Sequence, residues 1–291
     1  MASWDGKSRG SLLGYKIFVL TIKWGGVHLA YALLKIVSFY FFLFAKKPRK
    51  AIEDFYINAL KMDSQLAKKT CRKNFRLIGQ SIIDKVAFLS GKGDKYGFAF
   101  DGHDILVDLE KQGKGGILIS GHVGNWDIAG NMLKSTDLTV PVNVVMFENE
   151  VQAIKKFMDQ ETGGNRFKVI SIGNDLSHII QINAALNKGE FVCIHGDRFV
   201  GKVKTMTVPF FGRDARFPAG PFEIAAKFKA PVTFVFNVKK SDFEYQLSAT
   251  KPIREEITSA QDVVERYVDI LEEKTRQYPE QWFNYYDFYN T

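Results

Sequence analysis

The sequence predicts an α/β protein: a largely parallel central sheet with helices on both faces, preceded by an N-terminal membrane helix. Three observations predict it. Beyond Gly91, short apolar runs alternate with longer segments of helical character. The short runs are apolar almost throughout, as strands covered on both faces are. Finally, residues 27–45, VHLAYALLKIVSFYFFLFA, form an apolar run of about bilayer-crossing length, broken by one charge, Lys35.

The apolar run reads as a span or deep insertion, with an interfacial helix or a core helix as alternatives. The cluster KKPRK at residues 46–50 follows directly and predicts a cytoplasmic location for what comes after it. Pro48 and its basic neighbours are expected to end the first element. This divides the chain into an anchor with a basic flank, residues 1–50, and a globular domain, residues 51–291. Residues 64–90 place Leu66, Cys71, Phe75, Ile78, Ile82, Ile83, Val86 and Leu89 at helical intervals. The other face carries Lys68, Lys69, Arg72 and Lys73, suited to anionic headgroups or simply to solvent. Strands are predicted at 115–120, 140–147, 167–172, 190–194 and 231–238. Residues 243–250 are read as an edge strand. Helices are predicted near 125–134, 149–162, 175–188, 219–229 and 260–278, the last leading into an aromatic tail.

Composition narrows the function classes. The net charge is +8, and 25 of the 291 residues are Phe. A basic surface suits nucleic acid, anionic lipid headgroups or an acidic carrier protein. No nucleic-acid module accompanies the charge, so nucleic acid is set aside. The phenylalanine clusters favour acyl chains or bilayer. The two cysteines, Cys71 and Cys193, read as buried thiols, and no His/Cys cluster has metal-ligand spacing, so no metal is expected.

The stretch GGILISGHVGNWDIAG, residues 115–130, carries the chemistry. A buried strand runs into Gly121-His122, then Gly124, then a helix opening near Asn125. His122 is therefore expected at the carboxyl end of a central strand, where ligands of such sheets bind. Asp127, in the first helical turn, is placed to hold the imidazole Nδ1 and leave Nε2 as a base. Gly121 and Gly124 are expected to admit substrate close to the backbone. Asn125 joins the candidates for substrate binding. Asp197 and Arg198 follow another apolar strand. Arg198 suits a phosphate or an oxyanion, and Asp197 either assists His122 or holds Arg198. Arg166 and Arg216 are further phosphate candidates. His28, His103 and His178 read as structural. His195, just before Gly196-Asp197-Arg198, reads equally as structural or as site-lining. Phe210, Phe211 and Phe217 are expected in the core more than along an acyl channel.

The H-x4-D pattern from His122 to Asp127 resembles the signature of the lysophospholipid acyltransferase superfamily. The longer pattern resembles its lipid A late acyltransferase branch, the lauroyl and myristoyl transferases. Residues 195–236, with an Asp-containing turn, VPFFG and a Gly-Pro-initiated helix, are similar to that branch's second block. ETGGNRFKVI, residues 161–170, stands where the branch has Arg and Gly before a strand. YPEQWFNYYDFY, residues 278–289, resembles its PEQW ending without the basic, tryptophan-rich close. The branch more often has Glu where this chain has Asp127. The FPEGTR-type block of the glycerophosphate branches is absent, which argues against a glycerol-phosphate acceptor.

The resemblance implies an αβα acyltransferase domain on the cytoplasmic face of the cell inner membrane. It implies an acyl-carrier-protein or coenzyme A thioester as co-substrate, no cofactor, and a hydroxyl of a lipid A precursor or related membrane glycolipid as acceptor. A base to take the hydroxyl proton contributes about 10²–10⁴-fold, and His122 is that base. GxSxG is absent, so direct transfer in a ternary complex is expected. The rivals are another lipid acyltransferase of the same fold acting on a lysophospholipid or other lipid, a thioesterase, and a non-catalytic lipid-binding protein.

Overall fold

The computed structural model describes residues 12–133, 136–147, 167–173, 175–199, 201–254 and 257–290. It opens with three helices, α1 (Leu12–Phe44), α2 (Lys46–Asn58) and α3 (Ser64–Leu89). α1 ends at Phe44, directly before the basic cluster that holds Pro48, as expected, but a second helix starts within that cluster. Pro48 lies buried in the first turn of α2, where a missing N–H has no helical carbonyl to lose. Asp63 caps α3 by accepting from the Leu66 N–H at 2.9 Å.

Among the described residues, the further α-helices are α4 (His103–Lys111), α5 (Trp126–Leu133), α6 (Ser177–Asn187), α7 (Ala219–Phe228) and α8 (Ala260–Gln277). The strands are β1 (Gly97–Asp101), β2 (Gly116–Ser120), β3 (Val142–Phe147), β4 (Phe167–Ile172), β5 (Phe191–His195), β6 (Thr205–Phe210), β7 (Arg213–Pro218), β8 (Val232–Ser241) and β9 (Glu244–Ala249). Seven of them form a sheet in the order β1-β9-β8-β2-β5-β3-β4. Every pairing in it is parallel except β8–β9. β6 and β7 make a separate antiparallel hairpin.

The fold class is thus an α/β sheet with helices on both faces. One face buries Ile117, Ile119, Val192 and Phe234 against Phe222 of α7 and Val264, Tyr267 and Leu271 of α8. The other buries Leu118 and Phe191 against Leu106 and Leu109 of α4. The apolar strands are the ones sandwiched in this way. The stretch read as an edge strand, β9, is not an edge, because β1 pairs along its outer side. The predicted helix at 149–162 lies outside the described residues.

α1 lies along α3. Ile22, Val27, Ala30, Tyr31 and Leu34 bury in a cluster with Ile83, Val86 and Ala87 of α3 and with Tyr245 and Leu247 of β9. The opposite face of α1 is apolar and exposed, with Trp24 at 83%, Ile36 at 71% and Phe44 at 65%. The stretch Ile17–Phe44 is long and apolar enough to cross a membrane. On α3, Lys68, Lys69, Arg72 and Lys73 are exposed, as their spacing predicts. Leu66 and Ile82, expected on the buried face, are also exposed. Arg72 rests over the ring of Phe39 on α1, 4.8 Å from its centroid, so the basic and apolar faces adjoin.

Between α1, α3 and the β8–β9 turn lies a buried ionic cluster. Lys239 donates to Asp84 at 2.6 Å, and both side chains are almost wholly buried. The hydroxyls of Tyr31, Tyr96 and Tyr245 also donate to Asp84. Burial first, then the Asp84 charge, pushes the phenols of Tyr96 and Tyr245 far up, so both stay protonated donors.

Candidate active site

β2 and β5 are parallel neighbours, with Ser120 opposite His195. Two residues beyond that pair on each strand stand His122 and Asp197. The Asp197 carboxylate grips the first of them twice. Oδ2 accepts from the His122 backbone N–H at 2.8 Å, and Oδ1 lies 2.7 Å from His122 Nδ1. Nε2 has no hydrogen-bond partner among the described residues. Burial alone would raise the Asp197 carboxyl, but the imidazole beside it outweighs that and holds it well below the usual carboxylate range. An ionised acceptor on Nδ1 fixes the tautomer that leaves the Nε2 lone pair able to accept a proton.

The partner of His122 is therefore Asp197 and not Asp127. Asp127 does open α5, but its carboxylate turns to Lys85 of α3, at 2.8 Å. Neighbours in sequence lose here to neighbours in the sheet. The strand pairing delivers Asp197 in register with His122, whereas the first turn of α5 carries Asp127 toward α3. Replacing Asp197 by Asn is expected to lower kcat by about 10²–10⁴-fold through the lost tautomer bias. Asp127→Asn is expected to cost less than about tenfold in kcat and, as a half-exposed pair, about 0.2–1 kcal/mol in stability. Steady-state kinetics of the two variants check this, and the reverse order would return the relay to Asp127.

The loop carrying His122 is clamped from behind. Phe283 N–H donates to the His122 carbonyl at 3.0 Å, and Gly124 N–H donates to the Gln281 carbonyl at 2.9 Å. Val123 bridges Trp282 as in an antiparallel ladder. Asn125 N–H donates to the Asn237 carbonyl at 2.7 Å, and the Asn237 amide returns a bond to the Asn125 carbonyl at 2.7 Å. The Pro-Glu-Gln-Trp segment is thus a strap across the back of the site. Nothing in its composition announces this; only its pairing with residues 122–124 does.

Both glycines are required by the packing of this loop. Gly124 has φ +82°, and a Cβ there would stand 2.0 Å from the Asn237 carbonyl oxygen. A Cβ at Gly121 would meet the Tyr267 hydroxyl at 2.7 Å. That hydroxyl in turn donates to the Ser120 carbonyl at 3.0 Å.

Asn125 is 3% exposed and its amide serves the Ser81 carbonyl and the Tyr245 hydroxyl, so it is a framework residue and not open to substrate. Arg198 donates to the Phe283 carbonyl, tying the Asp197 loop to the strap. Arg216 is exposed on β7, with its guanidinium 6.0 Å from the ring centroid of Phe199. Arg166 lies outside the described residues. Phe210, Phe211 and Phe217 are core residues, packed around Phe55, Trp282 and Phe288. Cys71 and Cys193 are free thiols, each pushed up to about 12 by burial, so neither offers a thiolate nucleophile near neutral pH.

His195 joins the site. Its ring stacks on that of His122 with centroids 4.6 Å apart, and the Trp126 ring meets it edge-on at 4.6 Å. Both its ring nitrogens are buried without a hydrogen-bond partner among the described residues. Each buried polar group left unpaired costs about 1–3 kcal/mol. Burial, then the neighbouring His122, pushes its imidazole down to about 3. His122, His195 and Asp197 bring ligand-type atoms within 4.8 Å of one another, a donor set that zinc accepts. Both Asp197 oxygens, however, are committed to His122.

The sequence model of the bacterial lipid A biosynthesis acyltransferases matches residues 17–286. No curated protein matches the chain. Among solved structures, the chain is similar to the 1-acyl-sn-glycerophosphate (LPA) acyltransferase PlsC from Thermotoga maritima. That similarity stands at 11% identity, 85% of this chain and 96% of that one, with a TM-score of 0.39. The match to the sequence model takes in α1, the His122 loop, the Asp197 turn and the strap, and by it the chain belongs to the bacterial lipid A biosynthesis acyltransferase family.

Proposed function

We propose that this acyltransferase moves a fatty acyl chain from an acyl-carrier-protein or coenzyme A thioester to a hydroxyl of a lipid A precursor or related membrane glycolipid. His122 is the general base. The observation that carries the reading is the His122–Asp197 pair at adjacent strand ends, which leaves Nε2 without a protein partner among the described residues. The acceptor hydroxyl gives its proton to Nε2 as its oxygen attacks the thioester carbonyl. Asp197 stabilises the imidazolium that forms. The tetrahedral intermediate collapses with loss of thiolate, which takes the proton back from Nε2. The raised thiols of Cys71 and Cys193 support direct transfer over an acyl-enzyme.

Membrane association follows from the family and the exposed apolar face of α1. In this reading α1 sits in the cytoplasmic face of the inner membrane, with the lysines of α3 against anionic headgroups. Arg198, next to Phe199 in the chain, and Arg216, whose guanidinium lies 6.0 Å from the Phe199 ring centroid, suit a phosphorylated acceptor.

The test supplies one acyl-thioester donor and three acceptors: a lipid A precursor, its dephosphorylated form, and a lysophospholipid. Preferred acylation of the phosphorylated saccharolipid is expected. Equal use of the dephosphorylated form would remove the phosphate argument. Exclusive use of the lysophospholipid would move the chain to another acceptor class, and release of free fatty acid alone would make it a thioesterase.

A further inference from the structure

We propose that His195 is a second catalytic residue, whose neutral imidazole donates a hydrogen bond to the thioester oxygen as that oxygen becomes an oxyanion. This role rests on His122 being the base, and its ground is geometric. His195 closes β5 directly before the relay turn, and its ring lies face to face with that of His122 at 4.6 Å. The acceptor oxygen must sit within hydrogen-bond reach of His122 Nε2, and the attacked carbonyl about 3–3.5 Å beyond it. A side chain stacked on the base is therefore at the right range for the carbonyl oxygen. The residue is half-buried, yet its two ring nitrogens are buried and neither has a partner among the described residues. An imidazole whose buried nitrogens have no partner among the described residues, beside the base, is placed for a group the substrate brings. Turning the ring about its Cβ–Cγ bond presents one nitrogen to that group.

The electrostatics suit the role. His195 lies next to a base that becomes positive during the reaction, so a second imidazolium would repel it. Burial keeps His195 neutral at working pH, and Asp197 holds Nδ1 of His122, not of His195. The proton therefore goes to His122 and His195 does not compete for it. A neutral imidazole still carries one N–H, enough for an oxyanion. In the step itself the carbon–oxygen bond to the acceptor forms and the carbonyl π pair moves onto oxygen. The His195 N–H holds that charge, and on collapse the pair returns as the carbon–sulfur bond breaks. His195 ends as it began.

Three variants test this in the full chain: His195→Phe, His195→Gln and His122→Ala. Turnover is read as release of free thiol from an acyl thioester, with the lipid A precursor as acceptor and with water alone, and stability as a thermal midpoint. His195→Phe keeps the stacked ring and removes both nitrogens. Its kcat is expected to fall about 10²-fold, with the KM for donor and acceptor changed less than about threefold and a midpoint at or above wild type. His195→Gln keeps an N–H and is expected to retain about a tenth of wild-type kcat or more. A purely structural histidine predicts the opposite order, with Phe active and Gln impaired, and that result would overturn the proposal, as would wild-type turnover in both. Should His195→Phe fail to fold, His195→Gln decides alone: kcat below about a hundredth of wild type with a wild-type midpoint counts against a donor role. Wild-type turnover in His122→Ala would sink the base itself, an outcome distinct from failure of His195 alone. A lysophospholipid supplied as a further acceptor keeps the thiol readout valid should the saccharolipid not be the one used.

Discussion

Replacing His122 by alanine is expected to lower turnover by about 10³-fold or more while the protein folds and binds membranes as before. The expectation follows from what the residue touches. Its side chain bonds only to Asp197 among the described residues, whereas its backbone carries the contacts that hold the loop in place: N–H to Asp197 and carbonyl to Phe283. Alanine keeps those backbone bonds. It removes Nε2, and with it the base, which contributes about 10²–10⁴-fold, and the cation that offsets the developing oxyanion. The binding groups for donor and acceptor stay, so KM should move little against kcat. Initial rates with one acyl thioester and the lipid A precursor measure this. A variant with wild-type kcat would end the mechanism.

Lys239→Met is expected to destabilise the protein by about 3–5 kcal/mol, a large share of the net stability of a typical domain. The substitution leaves the Asp84 carboxylate charged and fully buried, with tyrosine hydroxyls as its remaining partners. Asp84→Asn should cost less. Burial already pushes the Lys239 ammonium down, so without Asp84 it can shed its proton and become a neutral amine. The double variant Asp84→Asn, Lys239→Met should recover much of the loss, since a buried pair replaced as a unit is often close to neutral. Denaturant midpoints of the three variants check the order. A Lys239→Met protein as stable as wild type would show that the tyrosines suffice to hold Asp84. The cluster also reaches the site. Tyr245 bonds Asp84 and lies 3.3 Å from the Asn125 amide, and Asn125 ends the His122 loop.

The parts of the fold legible in the sequence are those in which burial writes a local pattern. GILIS and FVCIH are covered on both faces and read as strands from their composition alone. The chain-order logic that placed His122 at a strand end needed nothing more distant than its own loop. β1 left no such mark, because GFAFD is mostly exposed and has no apolar face to reveal it. α2 was hidden by Pro48, which reads as a breaker everywhere except in the first helical turn. The relay partner needed a fact that no window of sequence holds: that β5 lies beside β2 with Ser120 against His195. Asp127 was the nearest carboxylate along the chain, Asp197 the nearest in the sheet, 75 residues away. The role of the Pro-Glu-Gln-Trp segment was likewise visible only once Trp282 stood opposite Val123.

That strap has a consequence in time. A ribosome delivers residue 122 long before residue 283, and at about 5–20 residues per second the interval is on the order of 10–30 s. During it, α1 and α3 are already made and able to pair, each burying its apolar face on the other. The nascent chain thus carries α1 and α3 as a pair before the loop around His122 has the Gln281 carbonyl and the Phe283 N–H that fix it. The helix pair comes first, and the loop around His122 is braced last.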